Sequence, residues 1–192
     1  MLALFEEKTD LTAIETISET ELVQRCLTGH EAAQRQLYGR YVGAMFHTVL
    51  RLTANRSDAE DVTQEVFVKV FEKLGSFRGE STLGAWIKRI AVNTTLNFLR
   101  QANRLQTVAL EDHAPPPDEP EVDEAAWALD IRRIHEALVE LPDGCRLVFN
   151  LHLLEGYRHQ DVAKMLGITE STSKTQYMRA KRLLREKLED GG

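Results

Sequence analysis

The residues best suited to binding chemistry lie between Cys145 and Glu189, above all in the run Ser171-Thr172-Ser173-Lys174-Thr175-Gln176-Tyr177-Met178-Arg179. At 3.6 residues per turn, Ser173, Tyr177, Ala180, Leu184 and Leu188 share one face, and Lys174, Met178, Lys181, Arg182 and Arg185 share the other. The first face packs and the second can meet phosphates. Thr175, Gln176 and Arg179 lie near the start of this helix, where such side chains reach base edges in the major groove. Upstream, Ala163 four residues before Gly167, with Val162, Leu166 and Ile168, predicts a shorter helix crossing the first over the tight turn Gly167-Ile168-Thr169. The pattern is that of a helix-turn-helix. A solvated basic face on an ordinary core helix is the alternative these residues leave open by themselves.

Two further stripes carry binding chemistry. In SFRGESTLGAWIKRIAVNTTLNFLRQANR, Leu83, Ile87, Ile90, Ala91 and Phe98 form a packing stripe beside Trp86, Arg89, Asn93, Asn97 and Arg100. Rings stack on bases, amides read base edges and arginines hold phosphates, a set suited to unpaired nucleic acid; Trp86 as plain core is the other reading. In SDAEDVTQEVFVKVFEKL, Ser57 is placed to cap a helix with Asp58, Glu60 and Asp61 in its first turn. Asp58, Asp61, Glu65 and Glu72 then make an acidic edge beside Val62, Val66, Val70, Leu74, Phe67 and Phe71. That edge is either solvated or docked on a basic partner.

These stripes require helices to position them. Helical spacing of apolar residues runs from Glu21 to Leu52, Asp58 to Leu74, Thr82 to Arg100 and Glu124 to the C-terminus, and no segment alternates long enough for a strand. Between the blocks, HAPPPDEPEVDE from His113 to Glu124 carries three consecutive prolines in a run of acids, which predicts an extended linker. The expected fold is all-α: an N-terminal extension over 1–17, a helical domain over 18–104, a linker over 105–125 and a second helical domain over 126–192.

The 192 residues are 43% hydrophobic and 28% charged, enough for two small cores. A net charge of -6 argues against indiscriminate coating of nucleic acid, but the charge is uneven: Leu105 to Asp130 holds eight acids and no Lys or Arg, while bases gather at Lys88 to Arg104 and Lys174 to Lys187. Cys26 and Cys145 lack disulfide-scaffold or zinc spacing and read as free thiols in a reducing compartment, with the cytoplasm expected. The start MLALFEEKTD is not a secretory signal, and no direct membrane insertion is expected. No phosphate loop, nucleophile elbow or metal cluster stands out, so no enzyme, metal or cofactor is expected.

Taken in order, DAEDVTQEVFVKVF, FRGESTLGAWIKRIAVNTTLNFLR and ALVELPDGCRLVFNLHLLEGYRHQDVAKMLGITESTSKTQYMRAKRLL resemble the extracytoplasmic-function (ECF) group of bacterial RNA polymerase sigma factors, in the sigma-70 family. The resemblance covers about residues 20 to 188. It implies that Asp58, Asp61, Gln64 and Glu65 contact core RNA polymerase. It further implies that Phe77, Arg78, Ser81, Trp86, Arg89, Asn93, Asn97 and Arg100 recognise and open the promoter -10 element, with the loop from Phe77 to Thr82 forming a flipped-base pocket bordered by Asn93. Thr172, Lys174, Thr175, Gln176, Met178, Arg179 and Arg182 are implied to read the -35 element of promoter DNA. An anti-sigma factor is implied as a regulatory partner, and the acidic linker is implied to lie in basic channels of the polymerase. A helix-turn-helix operator-binding regulator is the alternative function, though it leaves the Phe77 to Arg100 surface unexplained; a sigma mimic that sequesters an antagonist is a third.

Two departures from the family pattern stand out. Ser173 faces the core where relatives commonly have valine, which bears on how the recognition helix is seated. Arg158-His159-Gln160-Asp161 replaces a more usual Ser-Tyr-Glu-Glu type of sequence, and His159 reads as a surface or phosphate-contacting residue.

Overall fold

The computed structural model describes residues 17–102, 105 and 137–189; the extension over 1–16, most of the linker and the last three residues lie outside them. Helices α1 (Glu19–Leu27), α2 (Glu31–Thr53), α3 (Arg56–Lys73) and α4 (Leu83–Gln101) build the first block. Helix α5 (Asp143–Phe149), a wider π turn (Asn150–Leu154), α6 (His159–Leu166) and α7 (Glu170–Glu189) build the second. The described residues include no strand.

Local chemistry sets the boundaries. The apolar spacing from Glu21 to Leu52 is interrupted at Gly29, whose φ of +81° turns the chain between α1 and α2. Helix α3 starts two residues earlier than the Ser57 cap predicts: Asn55 is the N-cap, its Oδ1 accepting from Asp58 N–H at 3.0 Å. Asn55 is a better cap here because Ala54, at φ 53°, has already ended α2 and turned the backbone outward. Thr82 caps α4 by accepting from Ala85 N–H at 3.2 Å. Glu19 ties three helices together, one carboxylate oxygen accepting from Leu83 N–H at 3.0 Å and the other from Tyr41 Oη–H at 3.1 Å.

Two hydrophobic clusters organise the molecule. The first holds Leu22, Leu37, Val49, Val62, Val66, Val70, Leu83 and Ile87 among α1 to α4. The second surrounds Phe149 with Leu147, Val148, Leu151, Val162, Ala180 and Leu184, and it extends into the first block through Leu52, Val92, Leu96 and Leu99. The two blocks therefore share a core. Helix α4 is buried on two sides, one toward its own block and one toward the second, which a single amphipathic stripe does not predict.

Charged groups reinforce the junction. Glu155, at the end of the π turn and 2% exposed, pairs with Arg51 of α2 at 3.0 Å and Lys88 of α4 at 2.8 Å. Asn150 Nδ2–H donates to Arg51 O at 3.4 Å, and Arg100 Nη2–H donates to Met165 O at 2.6 Å.

Candidate nucleic-acid interface

The helix-turn-helix forms as expected. Gly167 ends α6 at φ +71°, and Thr169 caps α7 through Oγ1, which accepts from Thr172 N–H at 3.0 Å. Val162 and Leu166 are buried, and Ile168 packs at the edge of the same cluster. From α7, Ser171, Lys174 and Arg182 are exposed, while Thr175, Met178 and Arg179 are half-buried at the rim. Lys174 Nζ pairs with Glu170 at 2.7 Å, and that hydrogen bond holds the Glu170 carboxyl below its usual range.

Burial removes four residues from the surfaces expected for them. Thr172 is 4% exposed and Gln176 is 1% exposed. Gln176 Oε1 accepts from Cys145 Sγ–H at 3.0 Å, and Thr172 Oγ1 lies 2.7 Å from Thr169 Oγ1. In this arrangement neither side chain reaches a base; both hold α7 against α5 and the turn. Trp86 is 8% exposed and packs against Phe77 with ring centroids 5.6 Å apart, so its indole is core and not a stacking platform for a base. Lys181, placed by periodicity on the cationic face, is also buried, its Nζ 5.5 Å from the Tyr177 ring centroid.

The amide and guanidinium stripe survives without its tryptophan. Arg89, Asn93, Asn97 and Arg100 are all exposed along one ridge of α4. Arg100 Nη1–H donates to Asn97 Oδ1 at 2.5 Å, and its contact with Met165 O commits the guanidinium to the second block in this arrangement. At the N-terminal end of the ridge, Arg78 and Ser81 are exposed and Phe77 is half-buried, with Gly79 bending the loop at φ +72°.

On α3, Asp61, Gln64, Glu65 and Glu72 are exposed and Asp58 is half-buried. Glu65 pairs with Lys69 at 2.5 Å. Sequence reading missed Val68, which lies 57% exposed among these acids. Its spacing of three from Glu65 and four from Gln64 and Glu72 could have placed it there. Among the described residues no group of three or more His, Cys, Asp or Glu is arranged to hold a metal.

The structure also brings together residues that sequence reading kept apart. His159, expected at the surface, is half-buried at the start of α6. Its ring stacks on His152 of the π turn with centroids 3.8 Å apart and meets Tyr177 at 5.6 Å. Its Nδ1 lies 2.9 Å from Oγ of fully buried Ser173. His152 Nδ1 is 2.8 Å from Tyr157 O; because a carbonyl only accepts, that nitrogen carries a proton. Burial, the neighbouring His152 and Lys174 push the His159 pKa below its ordinary 6.5, against a smaller upward pull from Glu170.

A helix-turn-helix carrying exposed cations on its second helix, joined to a helical block with an acidic edge and an amide-rich ridge, has the architecture of a DNA-binding protein. The comparisons give its family. Residues 37–105 match the family model for Sigma-70 region 2, and residues 131–184 match Sigma-70, region 4. ECF RNA polymerase sigma factor SigM of Mycobacterium tuberculosis is 34% identical over 165 residues, covering 85% of this chain and 81% of that protein. ECF RNA polymerase sigma-E factor of Haemophilus influenzae is 29% identical over 186 residues, covering 91% and 97%. The sigma factor RpoE, solved in complex with the anti-sigma factor NepR from Bartonella quintana, shares the fold with a TM-score of 0.50 at 24% identity, over 81% of this chain and 96% of that one. The chain belongs to the sigma-70 family and, within it, to the ECF sigma factors. It binds RNA polymerase and directs it to specific promoters for transcription initiation. The operator-binding alternative is not favoured.

Proposed function

We propose a division of labour among the exposed stripes of the two blocks. The edge of α3, with Asp58, Asp61, Gln64 and Glu65, docks on a basic surface of core polymerase, and exposed Val68 adds apolar contact at its centre. The ridge of α4, with Arg89, Asn93 and Asn97, takes unpaired bases of the -10 element together with Phe77, Arg78 and Ser81. Lys174, Thr175, Met178, Arg179 and Arg182 of α7 meet the -35 element. The observation carrying this reading is the joint exposure of Arg89, Asn93 and Asn97 on one ridge, because duplex binding through the helix-turn-helix alone has no use for it.

The protein acts by binding and catalyses no covalent change: captured bases and phosphates offset the cost of unstacking the duplex. Functional units over 18–104 and 126–192, a linker over 105–125 and an extension over 1–17 accompany this division. The buried thiols of Cys26 and Cys145 support a cytoplasmic location, and no helix among the described residues is long and apolar enough to cross a membrane. The RpoE–NepR complex, formed by a chain of the same fold, supports an anti-sigma factor as regulator.

Run-off transcription with bacterial core polymerase on a promoter library tests the assignment. Asn93→Ala should alter preference within the -10 element and Lys174→Ala should weaken -35-dependent initiation, each by about tenfold, as for one polar contact. Unaltered -10 preference in Asn93→Ala would remove the α4 ridge from the site.

A further inference from the structure

The two departures from the family pattern meet in space. Ser173 puts a hydroxyl on the packing face of α7, fully buried, where a hydroxyl without a partner is costly. His159, fourteen residues earlier and on the other helix of the motif, brings its Nδ1 to 2.9 Å from that hydroxyl. The imidazole is itself held in place: His152 stacks on one side, fixed by its own bond to Tyr157 O, and Tyr177 of α7 meets the ring edge-on. A directional polar bond thus joins α6 to the first turn of α7, one residue from exposed Lys174.

We propose that His159 is a positioning residue for promoter recognition, acting through Ser173 to set the seating of α7 and hence which -35 sequences its exposed side chains meet. This rests on the assignment of α7 to the -35 element. A bond with one preferred length and direction selects one helix register and tilt more sharply than a methyl-to-methyl contact does. Small displacements at the first turn matter because Lys174 and Thr175 emerge there. A merely electrostatic role for His159, touching phosphate directly, makes a different forecast: binding weakens uniformly across sequences and the salt dependence falls.

The test uses holoenzyme reconstituted from the full chain and core polymerase, transcribing a library randomised at the -35 element. His159→Phe keeps a ring that can stack but removes the nitrogen; His159→Asn keeps a polar atom near the Nδ1 position but removes the ring; Ser173→Ala removes the hydroxyl. His159→Phe and Ser173→Ala should each shift the ranking of -35 sequences, with roughly tenfold losses on the preferred ones. The double variant should do no worse than either single variant, and His159→Asn should retain the wild-type ranking. Thermal melting of each variant accompanies the assay, and the double variant, which leaves no unpaired polar atom, serves if a single one does not fold.

An unchanged ranking in His159→Phe, or strictly additive losses in the double variant, overturns the positioning role. A uniform loss at every sequence with a reduced salt slope assigns His159 to phosphate contact and also overturns it. Lys174→Ala in the same library separates the two levels of the argument. If it alters the -35 ranking while the His159 and Ser173 variants do not, only the positioning role fails; if it too is silent, the assignment of α7 to the -35 element fails with it.

Discussion

At the scale of single residues, polar atoms inside the second block decide more than the exposed charges do. Gln176, Thr172 and Ser173 all sit within the first two turns of α7, and each turns inward to a partner. His159 adds a pH response. Its folded-state pKa lies below its ordinary 6.5, so the folded chain binds fewer protons than the unfolded one between those values. Stability is therefore intact above pH 6.5 and lost as pH falls through the lower, folded-state value. The groups facing the ring are His152, Ser173, Tyr177, Lys174 and Glu170, with Arg158 just before α6 and Asp161 within it as neighbours in the chain. Urea midpoints measured from pH 8 to 5 should fall on the acid side in wild type, and His159→Phe should flatten the part of that slope below 6.5. An identical slope in the variant would assign the acid response to other groups.

At the scale of elements, the helix-turn-helix depends on how sharply α6 stops. Gly167 holds the left-handed conformation that closes the turn, and open space surrounds the position a side chain would take there. The cost of Gly167→Ala is then conformational and not steric, about 1 kcal/mol, readable as a lowered urea midpoint with an unchanged slope. Asn55 plays the matching role at the start of α3. Its Oδ1 satisfies the Asp58 N–H at the end of the helix that carries the acidic edge. Asn55→Ala should cost about 1 kcal/mol by the same measurement and leave -35 preference untouched, since α3 lies outside the stripes proposed to read DNA.

At the scale of the whole molecule, the two blocks share a core in this structure, and on the proposed assignment of their stripes to the -10 and -35 elements that arrangement does not span a promoter. Elements about 25 base pairs apart lie about 85 Å apart along the duplex, far more than the length of α7, about 30 Å. That assignment predicts that the blocks separate on initiation, freeing Arg100 from Met165 O and Lys88 from Glu155. Glu155 is the buried anion of the junction, so Glu155→Ala should destabilise the free protein, on the order of 3 kcal/mol where Arg51 is left unpaired in a largely buried site. If core polymerase takes the separated form, the affinity of this variant for core should hold or rise. Lost stability together with lost affinity for core would show instead that Glu155 supports the second block itself.

Much of this was legible in the sequence because local periodicity and local chemistry wrote it. The helices, the turn at Gly167, the inward face of α7 at Ser173, Tyr177, Ala180 and Leu184, and the exposed stripe of Arg89, Asn93 and Asn97 follow from spacing alone. Spacing names the face on which a side chain leaves its helix. It does not say how much of the circumference a neighbouring element covers. For that reason Trp86, Thr172, Gln176 and Lys181, each at the edge of a predicted stripe, were settled only by packing, and all four are buried. The same holds for contacts between residues far apart in the chain. His159 with Ser173, and Glu155 with Arg51 and Lys88, are pairs that no local pattern encodes, because their meeting depends on the crossing of α6 over α7 and the docking of one block on the other. The sequence by itself determined the elements, their exposed chemistry and the family; tertiary structure decided which polar side chains stay exposed and which hold α7 in place, since burial and long-range hydrogen bonding are properties of the packed chain.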